Sequence, residues 1–131
     1  MLASKAGVGA RVIFAGPQRD PRPFYGAADA FVLPTLYDPL SNAVLEALAC
    51  GLPVVTSTRC GAGGVCSQGK CGLALRFHRR RGIGRAHVAA LDPTECEMMS
   101  SRVRSAVSHL TPQAMTAQML TLYENVLSLK Q

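Results

Sequence analysis

The chain has 131 residues, of which 48% are hydrophobic and 17% charged, and its formal net charge is +6. These values exclude wholesale disorder and are typical of one domain with a buried core. No apolar run approaches the roughly 18 residues of a membrane span. The basic excess permits binding to phosphates or to an anionic membrane surface, and the lack of an apolar signal core after Met1 predicts a cytoplasmic protein.

Apolar runs and helical patterns alternate over the first half of the chain. We predict strands at residues 11–16, 30–34 and 53–57, and a short helix at residues 20–28. Near-continuous apolar runs are typical of parallel strands that are covered on both faces. The alternation predicts an α/β fold with a doubly wound parallel sheet, in which ligands bind beyond the carboxyl ends of the strands. The apolar face of the short helix is predicted to consist of Phe24, Ala27 and Ala28.

A central helix is the most clearly delimited of the predicted elements. Ser41 or Asn42 can cap a helix over residues 43–50 by accepting hydrogen bonds from its free backbone N–H groups. Gly51 suits a left-handed residue at the end of that helix, and Pro53 prevents its continuation. We therefore expect a tight turn that leads directly into the next strand.

The N-terminus of this helix is predicted to bind a phosphate, because unpaired N–H groups and the helix dipole attract anions. Asp38, before the helix, could accept hydrogen bonds from sugar hydroxyls, and Glu46, within it, could accept from a vicinal diol such as a ribose. Together they fit a nucleotide sugar. The alternatives are that Asp38 only forms a turn or complements the dipole, and that Glu46 is a solvated surface residue. The predicted N–H donors belong to Leu40, Ser41, Asn42 and Ala43.

The second half of the chain begins with a segment rich in glycine, cysteine and arginine. We predict an atypical loop at residues 63–85, within which residues 73–75 could form a strand. Two helices are predicted to follow, starting near Asp92 and Thr111, each of which precedes a proline that suits a first helical turn. The last helix carries an apolar stripe, which consists of Met115, Met119, Leu122, Val126 and Leu129.

Residues 60–85 carry side chains of two further kinds of site. Cys60, Cys66, Cys71 and His78 could be metal ligands, but their spacing matches no paired C-x2-C pattern, so no metal site is predicted. The arginines of residues 79–85 could bind nucleic acid, yet no aromatic residues are interleaved for stacking. A solvated loop is therefore favoured, and nucleic acid is not an expected partner.

Three segments resemble a known family. They read F-V-L-P-T at residues 31–35, Y-D-P at residues 37–39 and S-N-A-V-L-E-A-L-A-C-G-L-P-V-V at residues 41–55. They closely resemble the C-terminal lobe of retaining GT-B glycosyltransferases of group 1, and the nearest likeness is to the lipopolysaccharide-core glucosyltransferases. The family has an E-x7-E motif, and this chain reads D-x7-E from Asp38 to Glu46.

The resemblance implies a Rossmann-like partial doubly wound sheet with C-terminal helices, so that residues 1–131 form a single partial domain. It implies that Asp38 is the catalytic residue that contacts the donor sugar, that Glu46 contacts the nucleotide ribose, and that the amides of residues 40–43 hold the diphosphate. The implied reaction is retaining transfer of a hexose from a nucleotide sugar, UDP-linked, to a glycan, glycolipid or lipopolysaccharide-type acceptor. The leaving phosphate helps to deprotonate the acceptor, and neither a metal nor another cofactor is required.

The sequence also departs from the family. The family has an N-terminal acceptor-binding lobe, and its C-terminal lobe begins with two further strand–helix units that carry cations for the diphosphate. Neither is found in this sequence, so we expect the isolated chain to be inactive. Residues 63–84 match the family poorly and are interpreted as a segment read out of frame with a compensating shift, a hypothesis that the gene sequence would test.

Other functions remain open. The first is a non-catalytic or split subunit that docks on a partner lobe. The second is a basic nucleic-acid-binding module that uses residues 79–85, and the third is a UDP-sugar epimerase. Since membrane-proximal transferases use basic segments, peripheral contact with the inner membrane face is also an expectation.

Overall fold

The computed structural model of the chain describes residues 2–76 and 92–129. The helices are α1 Leu2–Lys5, α2 Arg22–Gly26, α3 Asn42–Ala49, α4 Ala62–Gln68, α5 Pro93–Val107 and α6 Pro112–Ser128, with a 3-10 helix at Gly9–Arg11. The strands are β1 Phe31–Leu33, β2 Val54–Ser57 and β3 Gly72–Leu75. Strands and helices alternate from β1 to β3, and the predicted α/β fold class is confirmed.

The three strands form one parallel sheet in the order β1-β2-β3. Val32 of β1 stands opposite Val55 of β2, which in turn stands opposite Leu73 of β3. The central strand β2 is buried along its whole length, in agreement with its β-branched composition. Because the strands are parallel, the loops that follow β1 and β2 meet at the same edge of the sheet, which is where α/β folds bind ligands.

Helix α3 lies over this sheet with one face buried. Its residues Val44, Ala47 and Leu48 recur at helical spacing and have 0% exposure. Val103 of α5, which packs against α3, belongs to the same core. The helix ends as predicted, because Gly51 adopts φ +92° and turns the chain toward β2. The position of α3 is thus fixed by packing, while its other face remains open to solvent.

The strand predicted at residues 11–16 is wrong. The 3-10 helix ends at Arg11, and the residues after it are irregular, with Ile13 90% and Phe14 69% exposed. A strand needs a neighbour that pairs with its N–H and C=O groups. None of the described strands pairs with this segment, so its apolar side chains remain uncovered.

The loop predicted at residues 63–85 is also wrong where the structure describes it. This part contains most of α4 and all of β3, and the strand expected at residues 73–75 is confirmed. The sequence A-G-G-V-C-S-Q has low helix propensity because of its glycines. Packing overrides that propensity, since Ala62 and Cys66 are fully buried against the sheet. Residues 77–85 lie outside the described residues.

The two predicted C-terminal helices are confirmed, and both are capped. Asp92 Oδ1 accepts hydrogen bonds from the N–H groups of Thr94 at 2.9 Å and Glu95 at 3.4 Å. The Thr111 hydroxyl accepts from the N–H of Ala114 at 3.1 Å. Helix α6 has no buried residue, and its predicted apolar stripe is exposed. In the described part of the chain, no helix combines the length and apolarity needed to span a bilayer.

Candidate functional site

The N-terminus of α3 presents unpaired backbone donors. Of the two predicted caps, Ser41 is the one that caps the helix: its hydroxyl accepts from the N–H of Val44 at 3.4 Å, and its carbonyl from the N–H of Leu45 at 3.2 Å. These bonds satisfy the third and fourth N–H groups of the helix. The N–H groups before them have no hydrogen-bond acceptor among the described residues, and they belong to Leu40, Ser41, Asn42 and Ala43. This end of the helix can therefore bind an anion.

Asp38 is held at the carboxyl edge of the sheet by the loop that follows β2. Its N–H donates to the carbonyl of Arg59 at 3.2 Å, and its carbonyl accepts from the N–H of Gly61 at 2.8 Å. Glycine is required at position 61, since a Cβ there would overlap the carbonyl of Pro39. The backbone of Asp38 is thus fixed, while no described residue donates a hydrogen bond to its half-buried side chain.

Glu46 lies on the exposed face of α3 and contacts α2. The hydroxyl of Tyr25 donates to Glu46 Oε2 at 3.1 Å, and the Tyr25 ring meets Phe31 edge to face with 5.8 Å between centroids. Burial is the main cause that raises the pKa of Tyr25, and the hydrogen bond to Glu46 raises it further. The phenol therefore remains a protonated donor at neutral pH.

Tyr25 was missed by the sequence reasoning. The predicted apolar face of α2 is wrong, because Phe24 is 48% exposed and both Ala27 and Ala28 are exposed, whereas Tyr25 is buried. A helix of five residues has too few turns for spacing to define a face. The residue type itself is a signal, because a tyrosine that is buried usually donates its hydroxyl to a nearby acceptor, and Glu46 is such an acceptor.

A surface concavity of about 520 Å³ adjoins Glu46. Tyr25, Arg19 and Arg22 also line it, so the concavity has carboxylate, phenol and guanidinium groups at its border. Asp38 does not line it. The structure therefore gives the two predicted acids different surroundings: Glu46 faces a concavity beside α2, and Asp38 lies in the loop before the unpaired amides.

The three cysteines whose spacing predicts no metal site, Cys60, Cys66 and Cys71, are buried thiols. Burial raises the pKa of Cys66 to about 12 and also raises the pKa of Cys71, so both remain protonated at neutral pH. Within the described ranges, no three His, Cys, Asp or Glu side chains are arranged to hold a metal ion. His78 and residues 79–85, which carry the rest of the metal and nucleic-acid hypotheses, lie outside the described residues.

Comparison with known protein families and relatives supports the resemblance. The sequence model of the family described as "Glycosyl transferases group 1" matches residues 1–92. The chain is 41% identical over 85 residues to the lipopolysaccharide core biosynthesis glycosyltransferase LpsE of Rhizobium meliloti (strain 1021), covering 65% of this chain and 25% of that protein. It is 36% identical over 80 residues to the D-inositol 3-phosphate glycosyltransferase of Rhodococcus opacus (strain B4), covering 60% of this chain and 18% of that protein.

Solved structures of other proteins are also similar to this chain. Sucrose-phosphate synthase (tll1590) from Thermosynechococcus elongatus matches 97% of this chain with a TM-score of 0.81 and 29% identity, over 33% of its own length. WaaG, a glycosyltransferase involved in lipopolysaccharide biosynthesis, matches 82% of this chain with a TM-score of 0.75 and 25% identity, over 30% of its length. The chain thus spans a quarter or less of these curated relatives and about a third of these solved chains. Since the family match covers well over half of the sequence, the chain belongs to the group 1 glycosyl transferases.

Proposed function

We propose that this chain is the nucleotide-sugar-binding part of a retaining glycosyltransferase. The enzyme transfers a hexose from a UDP-linked donor to a glycan, glycolipid or lipopolysaccharide-type acceptor. The observation that carries the proposal is the run of four N–H groups at residues 40–43 that have no acceptor in the described part of the chain, between Asp38 in the preceding loop and Glu46 on α3. A diphosphate needs several convergent donors, and the dipole of α3 adds a favourable field.

Each part of a nucleotide sugar has a partner in this arrangement. The diphosphate binds the amides of residues 40–43. Asp38 accepts hydrogen bonds from hydroxyls of the donor sugar, because its carboxylate has no donor among the described residues. Glu46 accepts from the ribose diol, and the concavity beside it has room for the nucleoside.

The same geometry suggests how transfer proceeds. When the bond between the sugar carbon and the diphosphate oxygen breaks, negative charge develops on the leaving phosphate, and the amides of residues 40–43 stabilise it. The phosphate oxygen then accepts the proton of the acceptor hydroxyl, which bonds to the sugar on the face that the phosphate leaves. The configuration of the sugar is therefore retained.

Binding of uridine diphosphate to the chain, measured by isothermal titration calorimetry, tests the donor site. We expect saturable binding that weakens about tenfold or more in Glu46→Ala, because a charged hydrogen-bond acceptor is lost. The matched control is Glu124→Ala on α6, which removes a carboxylate far along the chain and should leave the affinity unchanged. Absence of saturable binding, or equal affinity of the Glu46 variant, would overturn the proposal.

The acceptor side of the reaction lies with further polypeptide. Because the chain spans only a quarter or less of its curated relatives, we propose that it binds the donor without transferring sugar by itself. Measured turnover of a UDP-sugar by the isolated chain would contradict this. The split-subunit alternative is favoured by one observation, the uncovered apolar side chains of Ile13, Phe14 and α6. Co-purification of a partner that restores turnover would support it.

A further inference from the structure

Tyr25 connects α2 to the exposed face of α3. It is the only buried residue of α2, with 8% exposure, and its hydroxyl reaches Glu46 Oε2 across 21 positions of sequence. The edge-to-face contact with Phe31 of β1 holds the ring against the sheet. The phenol is therefore a donor whose position is set by the core of the domain.

Glu46, by contrast, depends on a partner for its orientation. It is exposed on α3, and its side chain has three rotatable bonds, so an unpartnered carboxylate there would sample several rotamers. A bond from a fixed phenol removes much of that freedom before any ligand binds. Pre-orientation of this kind improves affinity because less side-chain entropy is lost on binding.

The hydrogen bond leaves the carboxylate able to bind a diol. An ionised carboxylate has two oxygens with about four acceptor positions, and Tyr25 occupies one of them on Oε2. No other residue in the described ranges donates to this side chain, so Oε1 and the second position on Oε2 can accept from two hydroxyl donors. Both Tyr25 and Glu46 line the same concavity of about 520 Å³, so a ribose in it could donate both hydroxyls to Glu46.

We propose that Tyr25 is a positioning residue of the nucleotide site, whose hydroxyl fixes the Glu46 carboxylate in the orientation that receives the ribose diol. The inference rests on the proposed function, since it assumes that a nucleoside diphosphate occupies this concavity. It goes beyond that function by assigning the selection for a ribose diol to a contact between α2 and α3. Tyr25 acts through Glu46 and does not itself contact the reacting atoms.

The test compares two probes, uridine diphosphate and 2′,3′-dideoxyuridine diphosphate, by calorimetry on the complete chain. Tyr25→Phe keeps the ring and removes the hydroxyl. We expect it to weaken binding of uridine diphosphate about tenfold and to leave binding of the dideoxy probe unchanged, since a hydrogen bond to a charged group is worth roughly this factor. Tyr123→Phe, which removes an exposed hydroxyl from α6, is the matched control and should change neither affinity.

The outcomes separate the inference from the function on which it rests. If Tyr25→Phe weakens both probes equally, or neither, the positioning role is overturned while the donor site stands. If the unchanged chain binds neither probe, the proposed function is overturned and the inference with it. In Glu46→Ala, which removes the acceptor of the Tyr25 hydroxyl, a further Tyr25→Phe change should have no added effect on uridine diphosphate affinity, and an added loss of tenfold would overturn the pairing.

A ligand-free measurement checks the contact even if Tyr25→Phe folds poorly. Burial raises the pKa of Tyr25 most, and the hydrogen bond to Glu46 and the charge of that carboxylate raise it further. Ultraviolet titration should therefore show a phenol whose pKa lies above the ordinary value of a tyrosine. In Glu46→Gln that phenol should titrate at lower pH, and an unchanged titration would overturn the contact.

Discussion

Gly61 is the residue at which the loops after β1 and β2 come closest. A Cβ at this position would overlap the carbonyl of Pro39, and the bridge between Asp38 and Cys60 holds both loops in place. We predict that Gly61→Ala lowers the free energy of unfolding by about 3 kcal/mol, because neither backbone can move away without breaking that bridge. Urea denaturation followed by circular dichroism measures the change.

A second glycine provides the control for this prediction. Gly64 lies in α4, where an added Cβ meets no atom within 4 Å. Gly64→Ala should raise the free energy of unfolding by about 0.5 kcal/mol, because alanine loses less backbone entropy in a helix. Equal stability of the Gly61 and Gly64 variants would show that the close approach at Pro39 is absent.

Cys66 makes stability depend on pH in the alkaline range. Burial raises its pKa from the ordinary value of 9.0 to about 12 in the folded chain. The unfolded chain therefore releases the thiol proton at lower pH than the folded chain. The contribution of this difference to the free energy of unfolding is complete below pH 9 and is lost as the pH rises toward 12. At about pH 10.5 the expected loss is about 2 kcal/mol.

This loss is measured by urea midpoints of the reduced protein between pH 8.5 and 10.5. Cys66→Ala lowers stability at every pH because it leaves a cavity, but its midpoint should fall less steeply with pH. Cys50→Ala removes an exposed thiol and should keep the original slope. Parallel curves for Cys66→Ala and the unchanged chain would contradict the raised pKa.

Helices α5 and α6 are both capped, yet only α5 is part of the core. Asp92→Ala removes the cap of α5, whose Val103 is fully buried, and should lower the free energy of unfolding by about 1 kcal/mol. Thr111→Ala removes the cap of α6, which has no buried residue. It should reduce helical ellipticity without moving the urea midpoint. A similar shift of the midpoint in both variants would mean that α6 unfolds together with the core.

The elements that sequence reasoning predicted correctly are those with local signals. Helix α3 has its cap at Ser41 and its stop at Gly51, and β2 has a continuous branched run. Helix α4 forms because it packs on the strands β2 and β3, and the segment after Arg11 is irregular because no described strand pairs with it, so local patterns predicted both wrongly. The same division holds at the candidate site. The unpaired amides follow from a helix N-terminus, whereas the contact of Tyr25 with Glu46 joins two helices and has no local signature.

For the molecule as a whole, two of the described segments carry uncovered apolar side chains. Ile13 and Phe14 are exposed in the irregular segment after Arg11, and the apolar stripe of α6 is exposed along its length. Strand β1 pairs only with β2 among the described strands. Contiguous apolar surface on a soluble domain usually marks an interface. These surfaces support the proposal that further polypeptide, as in the longer relatives, packs against the chain.

The exposed stripe of α6 should make the isolated chain self-associate. We predict that its sedimentation coefficient rises with protein concentration, because covering an apolar side chain contributes about 1.5–3 kcal/mol. Replacing Met119 by Glu and Leu122 by Lys removes two stripe residues without changing the net charge. Association should then weaken about a hundredfold or more.

The control for this change alters charge but not apolar surface. Gln113→Glu with Thr121→Lys places the same two charges on exposed positions of α6 away from the stripe. This variant should associate like the unchanged chain, because the apolar stripe is intact. If both double variants lower the sedimentation coefficient equally, charge rather than burial of α6 drives association. If neither does, the contact between copies involves another surface, of which the segment with Ile13 and Phe14 is the next to substitute.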